Sequence, residues 1–134
     1  MQPTIVTAAI IQKGEQILIT QRPATSRHGG MWEFPGGKLE PGEAPIAGLR
    51  REIREELALE IQVGPIFEVI YHCYDWGAVL ILAYLARAAG ETVRHLEVAD
   101  HRWITPGDLH KYPILPADRP IIARLQSAPL PAWE

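Results

Sequence analysis

The stretch from Pro45 to Leu59 constrains the rest of the chain most. Ile46, Leu49, Ile53 and Leu57 recur at helical spacing and define an apolar stripe. Glu52, Glu55 and Glu56 stand at i, i+3 and i+4 of the same helix, so their carboxylates share the face turned away from that stripe. Pro45 suits the first helical turn, where its missing N–H goes unused anyway. A helix built this way must bury one side against another layer and leave its acids clear of the core.

The flanking sequence supplies that layer. Thr4 to Ile11, rich in Val, Ile and Thr, reads as a strand; Lys13-Gly14 is a turn, and Gln16 to Thr20 the returning strand. Arg22 to Gly42 is dense in Gly and Pro and reads as mostly loop, and a loop that long inside a domain is either functional or disordered. After the helix, Glu60 to Tyr74 is strand, interrupted at Gly64-Pro65. Asp75-Trp76-Gly77 is a hairpin turn, and Ala78 to Ala88 is the next strand. Arg102 to Thr105 reads as a short strand and Pro106 to Lys111 as a helical turn. Asp118 caps a last helix through Ile121, Ile122 and Leu125, and Ala128 to Glu134, with two prolines, is expected to trail over the surface. This order predicts one α/β domain over residues 1–134, a mixed sheet with helices on its faces.

Charge narrows the partners. With 13 Lys and Arg against 16 Asp and Glu, no broad basic surface exists for long nucleic acid, although a single nucleotide needs only a local site. The longest apolar run, Ala78 to Ala86, is too short to cross a bilayer, so no membrane partner is expected. Met1 to Ile11 shows neither a basic n-region nor a cleavage site, and Cys73 is the single cysteine; both fit a mature cytoplasmic protein. Nothing in the sequence requires a protein partner. The five histidines show no zinc-type ligand spacing, and Trp32, Trp76, Trp103 and Trp133 are read as packing residues.

Three carboxylates on one helix face repel one another, and a hard divalent cation with oxygen ligands would offset that repulsion. An i,i+4 ion pair between Arg51 and Glu55 on a solvated surface would account for the charges equally well. The surroundings separate the two readings. Gly36-Gly37-Lys38 stands ahead of the helix, where glycines let backbone approach a ligand closely. Glu43 follows Gly37 after five residues, and Arg51-Glu52 follows after seven more, then Ile53, Glu55, Glu56 and Leu59.

This segment resembles the Nudix box, matching every fixed position of that pattern but one: Ala58 stands where the box has glycine. Gln21-Arg22-Pro23, Trp32-Glu33-Phe34-Pro35-Gly36-Gly37-Lys38 and Leu115-Pro116-Ala117-Asp118-Arg119-Pro120 further resemble the MutT-like branch. The resemblance implies a Nudix fold, an α/β/α sandwich. It implies metal ligands at the Gly36 carbonyl, Glu52, Glu55, Glu56 and Glu97, the last lying outside the box. Mg²⁺ is the implied ion, with Mn²⁺ as its substitute. Glu52 is then the general base, and Arg51 orients the carboxylates by pairing with Glu43. Arg22, Arg27 and Lys38 are implied phosphate contacts beside Gly36 and Gly37, with Phe34 flanking the base and Asp118 reading its edge. Ala58 puts the helix–strand junction in question more than the metal site.

The activity implied is hydrolysis of a nucleoside triphosphate to monophosphate and pyrophosphate, with 8-oxo-dGTP as the first substrate and CTP or 5-methyl-dCTP as the alternative. Its role would be nucleotide-pool sanitation in support of DNA replication and repair. A damaged-base binding module without hydrolysis is the rival from another class, and it typically has a degraded acidic row. Dinucleotide or nucleotide-sugar hydrolysis ranks lower because the flanking loops are MutT-like.

Overall fold

Strand β1 (Thr4–Lys13) divides its side chains between two cores. Ala8 and Ile10 enter one, and Ala9 and Ile11 the other. The computed structural model describes residues 2–90 and 92–133. Strand β2 (Gln16–Gln21) repeats the division, with Ile17 and Ile19 on one side and Leu18 on the other. A sheet apolar on both faces needs a cover on each. Helix α1 (Pro45–Leu57) covers one face through Leu49, Ile53 and Leu57; helix α2 (Arg119–Ser127) covers the other through Ile121 and Leu125. This is the expected α/β/α sandwich. Each of these fully buried aliphatic side chains stabilises the fold by roughly 1.5–3 kcal/mol.

The remaining strands are β3 (Trp32–Glu33), β4 (Gly36–Lys38), β5 (Ile61–Tyr74), β6 (Gly77–Ala88) and β7 (Asp100–Ile104). The sheet runs β3-β2-β1-β6-β5, with β1 and β6 parallel and the other pairs antiparallel. β1 and β2 pair only next to their turn, at Gln12–Ile17 and Lys13–Gln16, and then diverge. β4 takes the vacated edge of β1, from Val6–Lys38 to Ala8–Gly36, while β7 and β3 take β2. This divergence opens the sheet beside the N-terminal half of β1.

Several expectations change. The stretch from Arg22 to Gly42 is mostly loop as expected, but two short strands, β3 and β4, form within it. They carry little strand propensity of their own and exist because β2 and β1 offer open edges. Ile46 is 46% exposed and leaves the stripe. The first turn of α1 lies over the preceding loop instead of the sheet, and Gly48 is buried there. A Cβ on Gly48 would stand 2.4 Å from Leu39 and 2.8 Å from Glu43, which accounts for glycine inside a helix. Asp118 makes no side-chain cap: its backbone is α-helical, and its carboxylate turns inward. The C-terminal segment does not trail free. Trp133 donates from Nε1 to Gln12 at 2.9 Å, stacks under Arg87, accepts from that guanidinium through its carbonyl, and packs on Gly64. Glu134 lies outside the described residues. Gly64-Pro65 bends β5 by shifting its register between Val63 and Ile66, without ending it. Among the described residues no helix is long and apolar enough to cross a membrane.

Ala58 keeps the glycine geometry without the glycine. Its φ of 52° and ψ of 36° are left-handed, and its N–H closes the helix on the Arg54 carbonyl at 2.9 Å. A Cβ in that conformation costs about 1–2 kcal/mol, part of which glycine returns through greater freedom of the unfolded chain. Ala58→Gly should therefore stabilise the protein by about 0.5–1 kcal/mol, which raises Tm by roughly 3 °C for a domain of this size. Thermal unfolding checks this, and an unchanged or lower Tm would show that the junction is unstrained.

Candidate active site

Arg51 gathers the site. Its guanidinium grips both oxygens of Glu43, at 2.7 and 2.9 Å, and donates to Glu52 at 2.9 Å, Glu55 at 3.1 Å and the Lys38 carbonyl at 3.2 Å. A bidentate Arg–carboxylate pair has fixed geometry, so this side chain locks the loop before α1 to the helix itself. The hydrogen bonds from Arg51 hold the Glu43 carboxyl down at about 2. Every donor of Arg51 is directed at protein, which makes it a positioning residue. Arg50 and Arg54 leave this network and pair with Glu60.

The glycine pair fits against the carboxylates. A Cβ on Gly37 would lie 2.3 Å from a Glu52 carboxylate oxygen, and one on Gly36 would lie 2.0 Å from the Thr7 carbonyl. At Gly36 no side chain is tolerated while β4 stays on β1, because the obstacle is backbone; at Gly37 a side chain would push the Glu52 carboxylate out of place. The acidic face is consequently covered rather than solvated as the helical pattern suggested: the Glu52 side chain is 16% exposed, against 48% for Glu55. The chain closes from the other side too. The N–H groups of Leu96 and Glu97 donate to the Glu56 carbonyl at 3.0 and 3.2 Å, and that of Arg94 to Leu57 at 2.9 Å. These bonds occupy the open C-terminal carbonyls of α1 and bring Glu97 beside the box glutamates.

Burial and crowding raise the carboxyl pKa values. Glu56 is pushed up to about 8, first by burial and then by Glu33 and Glu52, with the Gly36 N–H opposing. Glu52 is raised by burial against the pull of Arg51. Glu33 is raised by burial, opposed by Arg22, which holds both its oxygens at 3.2 Å. Asp118 is pushed up to about 7 by burial and by Glu33, although it accepts the Phe34 N–H at 3.0 Å.

A cleft of about 460 Å³ opens where β1 and β2 part, and Glu56 reaches into it. Its wall contains Arg22, Arg27, Phe34, Gly36, Gly37, Lys38 and Asp118, so the sequence candidates for substrate contact share one cavity. They do not contribute alike. Arg22 is committed to Glu33 and to the Arg27 carbonyl at 2.7 Å. Phe34 is 3% exposed, a core residue that forms part of the cleft floor. Lys38 is exposed. Among the wall residues that sequence reasoning missed are Glu33, His28, Tyr74 and Trp76. Tyr74 and Trp76 stack at 5.4 Å and 9°, Arg27 lies 4.6 Å over Trp76, and His28 stands 5.3 Å from Tyr74. Tyr74, Trp76, Arg27 and His28 come from the end of β5 with the hairpin turn after it and from the loop after β2, and no spacing in the sequence links the two regions. A larger cleft, about 800 Å³, lies under the C-terminal segment beside Lys13 and Arg87, away from the carboxylates.

The donor set fits a divalent cation. Among the described residues, Oε1 of Glu56 is buried with no hydrogen-bond partner, and Glu33, Glu52 and Glu97 all raise the pKa of that carboxyl. Such a cluster of oxygen donors lacks a positive charge, which a hard metal ion would provide.

This cleft, carboxylate row and glycine-bearing strand are those of a hydrolase that handles phosphate anhydrides, and comparison with known proteins identifies it: the NUDIX domain model matches residues 6–124, and the chain belongs to the Nudix family of divalent-metal hydrolases. Its similarity is to the MutT-like branch. It is 38% identical to the CTP pyrophosphohydrolase of Escherichia coli K12 over 87% of both chains. It is 32% identical to the 8-oxo-dGTP diphosphatase of the same organism, over 91% of this chain and 95% of that one. The crystal structure of a MutT NUDIX hydrolase from Burkholderia pseudomallei superposes with a TM-score of 0.84 at 26% identity, over 93% of this chain and 99% of that one.

The raised Glu56 carboxyl has a consequence for stability. The folded protein without metal holds a proton there that the unfolded chain has already released. Stability therefore falls as pH rises from about 4.5 to about 8. Glu56→Gln keeps the size and removes that titration, so the metal-free variant should lose less Tm across that window than wild type, the decline that remains coming from Asp118, Glu33 and Glu52. Divalent metal should then raise Tm at pH 8 in wild type and much less in the variant. Equal metal-induced shifts in both proteins would exclude Glu56 as a ligand.

Proposed function

We propose that this protein is a Mg²⁺-dependent nucleoside triphosphate pyrophosphohydrolase, active also with Mn²⁺, that releases a nucleoside monophosphate and pyrophosphate. The observation that carries the reading is the meeting of the acidic row with the substrate cleft at Glu56. The names of the relatives, a CTP pyrophosphohydrolase and an 8-oxo-dGTP diphosphatase, support the same reaction type. In this reading Glu52, Glu55, Glu56, Glu97 and the Gly36 carbonyl hold the metal. An ion held there supplies charge to the phosphates and acidifies water. Glu52 accepts the proton of the water that attacks the β phosphorus. The bond from the bridging oxygen to that phosphorus breaks, so the monophosphate leaves with the bridging oxygen and pyrophosphate takes the water oxygen. Arg51 keeps Glu52 and Glu55 in place, and Arg27 and Lys38 contact the phosphates. The complete acidic row argues against a module that only binds damaged bases. The chain acts as one catalytic unit in the cytoplasm, on a small nucleotide.

Glu52→Gln should lower kcat by at least about 10²-fold, since it removes the base and a metal-ligand charge while preserving volume. Circular dichroism should remain that of wild type. With wild type in ¹⁸O-labelled water, the label should appear in pyrophosphate. Near-normal turnover of the variant would reject the role of Glu52, and label in the monophosphate would reject attack at the β phosphorus.

The first substrate of this reading is 8-oxo-dGTP, and clearing it from the nucleotide pool would protect DNA replication. Asp118 gives CTP and 5-methyl-dCTP weight as the second. One carboxylate oxygen is taken by Phe34, which leaves the other for a base edge. An ionised Asp only accepts, and so suits the amine of cytosine; a protonated one donates and accepts, and so suits oxidised guanine. With Asp118 pushed up to about 7, the preference for 8-oxo-dGTP over CTP should fall as pH rises through neutrality. Asp118→Asn should hold that preference high and flat, moving the kcat/KM ratio roughly tenfold at alkaline pH. Ratios measured for both proteins across that range check it; parallel pH profiles would remove Asp118 from base selection.

A further inference from the structure

Beside the acidic row, the fold assembles a second group of ligating side chains within one short stretch of chain. His95, Asp100 and His101 place one potential donor atom each within 4.8 Å of one another. Nε2 of His95 lies 2.7 Å from Nδ1 of His101 and 3.9 Å from a carboxylate oxygen of Asp100. Asp100 and His101 open strand β7, which is fixed on β2 through Thr20–His101 and Gln21–Asp100. His95 lies on the segment between β6 and β7, and its ring is 40% exposed. The five residues between His95 and His101 fall within the spacing that histidine pairs of zinc sites use, and the bends between them bring the rings together.

We propose that His95, Asp100 and His101 form a site for a borderline transition-metal ion of the Zn²⁺ type, separate from the carboxylate row. Two imidazoles and one carboxylate, with remaining positions open to water, are donors that Zn²⁺ takes and Mg²⁺ does not. Metal–nitrogen bonds of about 2.0–2.1 Å in tetrahedral geometry put neighbouring donors about 3.3 Å apart. The two observed separations lie on either side of that value, so a small rotation of the exposed His95 ring makes room for the ion. Asp100 is steadied in advance: one oxygen accepts the His101 N–H at 2.8 Å, and the other pairs with Arg102 at 2.6 Å. That Arg102 contact keeps a positive charge nearby and weakens the site relative to an unopposed carboxylate.

The ion would act on the segment that carries Glu97. Leu96 and Glu97 hang from the Glu56 carbonyl by their N–H groups, and His95 adjoins them. Tying His95 to β7 fixes this strap at a second point, so a Zn²⁺-type ion stiffens one side of the acidic row without entering it.

The test uses the full chain without a histidine tag, in excess Mg²⁺ so that the acidic row is already supplied. Zn²⁺ should raise the Tm of wild type, slow amide exchange across 94–101, and compete with Co²⁺ whose d–d absorption reports imidazole ligation. His95→Ala and His101→Ala should each weaken Zn²⁺ binding by about tenfold or more. His95 is exposed, so its variant folds whatever the fate of the other, and Glu52→Gln should keep the full Zn²⁺ response. Absence of a Zn²⁺ shift in wild type would overturn the proposal. So would a shift that survives both histidine substitutions or vanishes with Glu52→Gln.

Discussion

The bidentate pair between Arg51 and Glu43 holds the loop ahead of α1 on the helix, and the rest of the site is built on that attachment. The same guanidinium reaches Glu52, Glu55 and the Lys38 carbonyl, so one side chain sets the spacing of two box carboxylates and the position of β4. The pair works because Gly48 leaves room for Glu43 on the helix surface, where any Cβ would collide with it. A helix residue with low propensity is retained there for what must pass over it.

That attachment brings together groups that repel. Glu52, Glu56, Glu33 and Asp118 raise one another's pKa or are raised by burial, and the counter-charges from Arg51 and Arg22 are spent on Glu43, Glu52, Glu55 and Glu33. Glu56 is left with Oε1 buried and, among the described residues, without a hydrogen-bond partner. The polypeptide therefore folds around a deficit of positive charge located where the cleft meets the helix. A metal ion and the phosphates it accompanies would balance that deficit, which ties the cost borne by the apo-protein to the chemistry it is organised for.

The geometry of the sheet decides where this happens. Because β1 and β2 pair only beside their turn, each offers an open edge further along. β4 fills one and carries the glycines to Glu52; β3 fills the other and carries Glu33 to Arg22. The cleft lies in the gap, floored by Phe34 and Asp118 and bordered by Tyr74 and Trp76.

Local chemistry alone determined the strong elements. Runs rich in Val, Ile and Thr specify β1 and β2, a stripe at helical spacing specifies α1, and the box pattern names the carboxylates and their Arg. These features depend on residues close in sequence, so they are legible without the fold. Ile46 looked like the start of the stripe, and Asp118 looked like a cap. Their fates depend on what lies opposite, a loop in one case and the Phe34 amide in the other. Tertiary structure alone decided that Gly36-Gly37 would be a strand, because its hydrogen-bond partners belong to β1. It likewise decided the burial of Glu52 and Glu56, the arrival of Glu97, and the grouping of Tyr74 with Trp76 and of His95 with His101. Most of these rest on contacts between segments far apart in the chain, and the two local pairs, Tyr74 with Trp76 and His95 with His101, depend on how the chain bends between them; periodicity within one segment encodes neither.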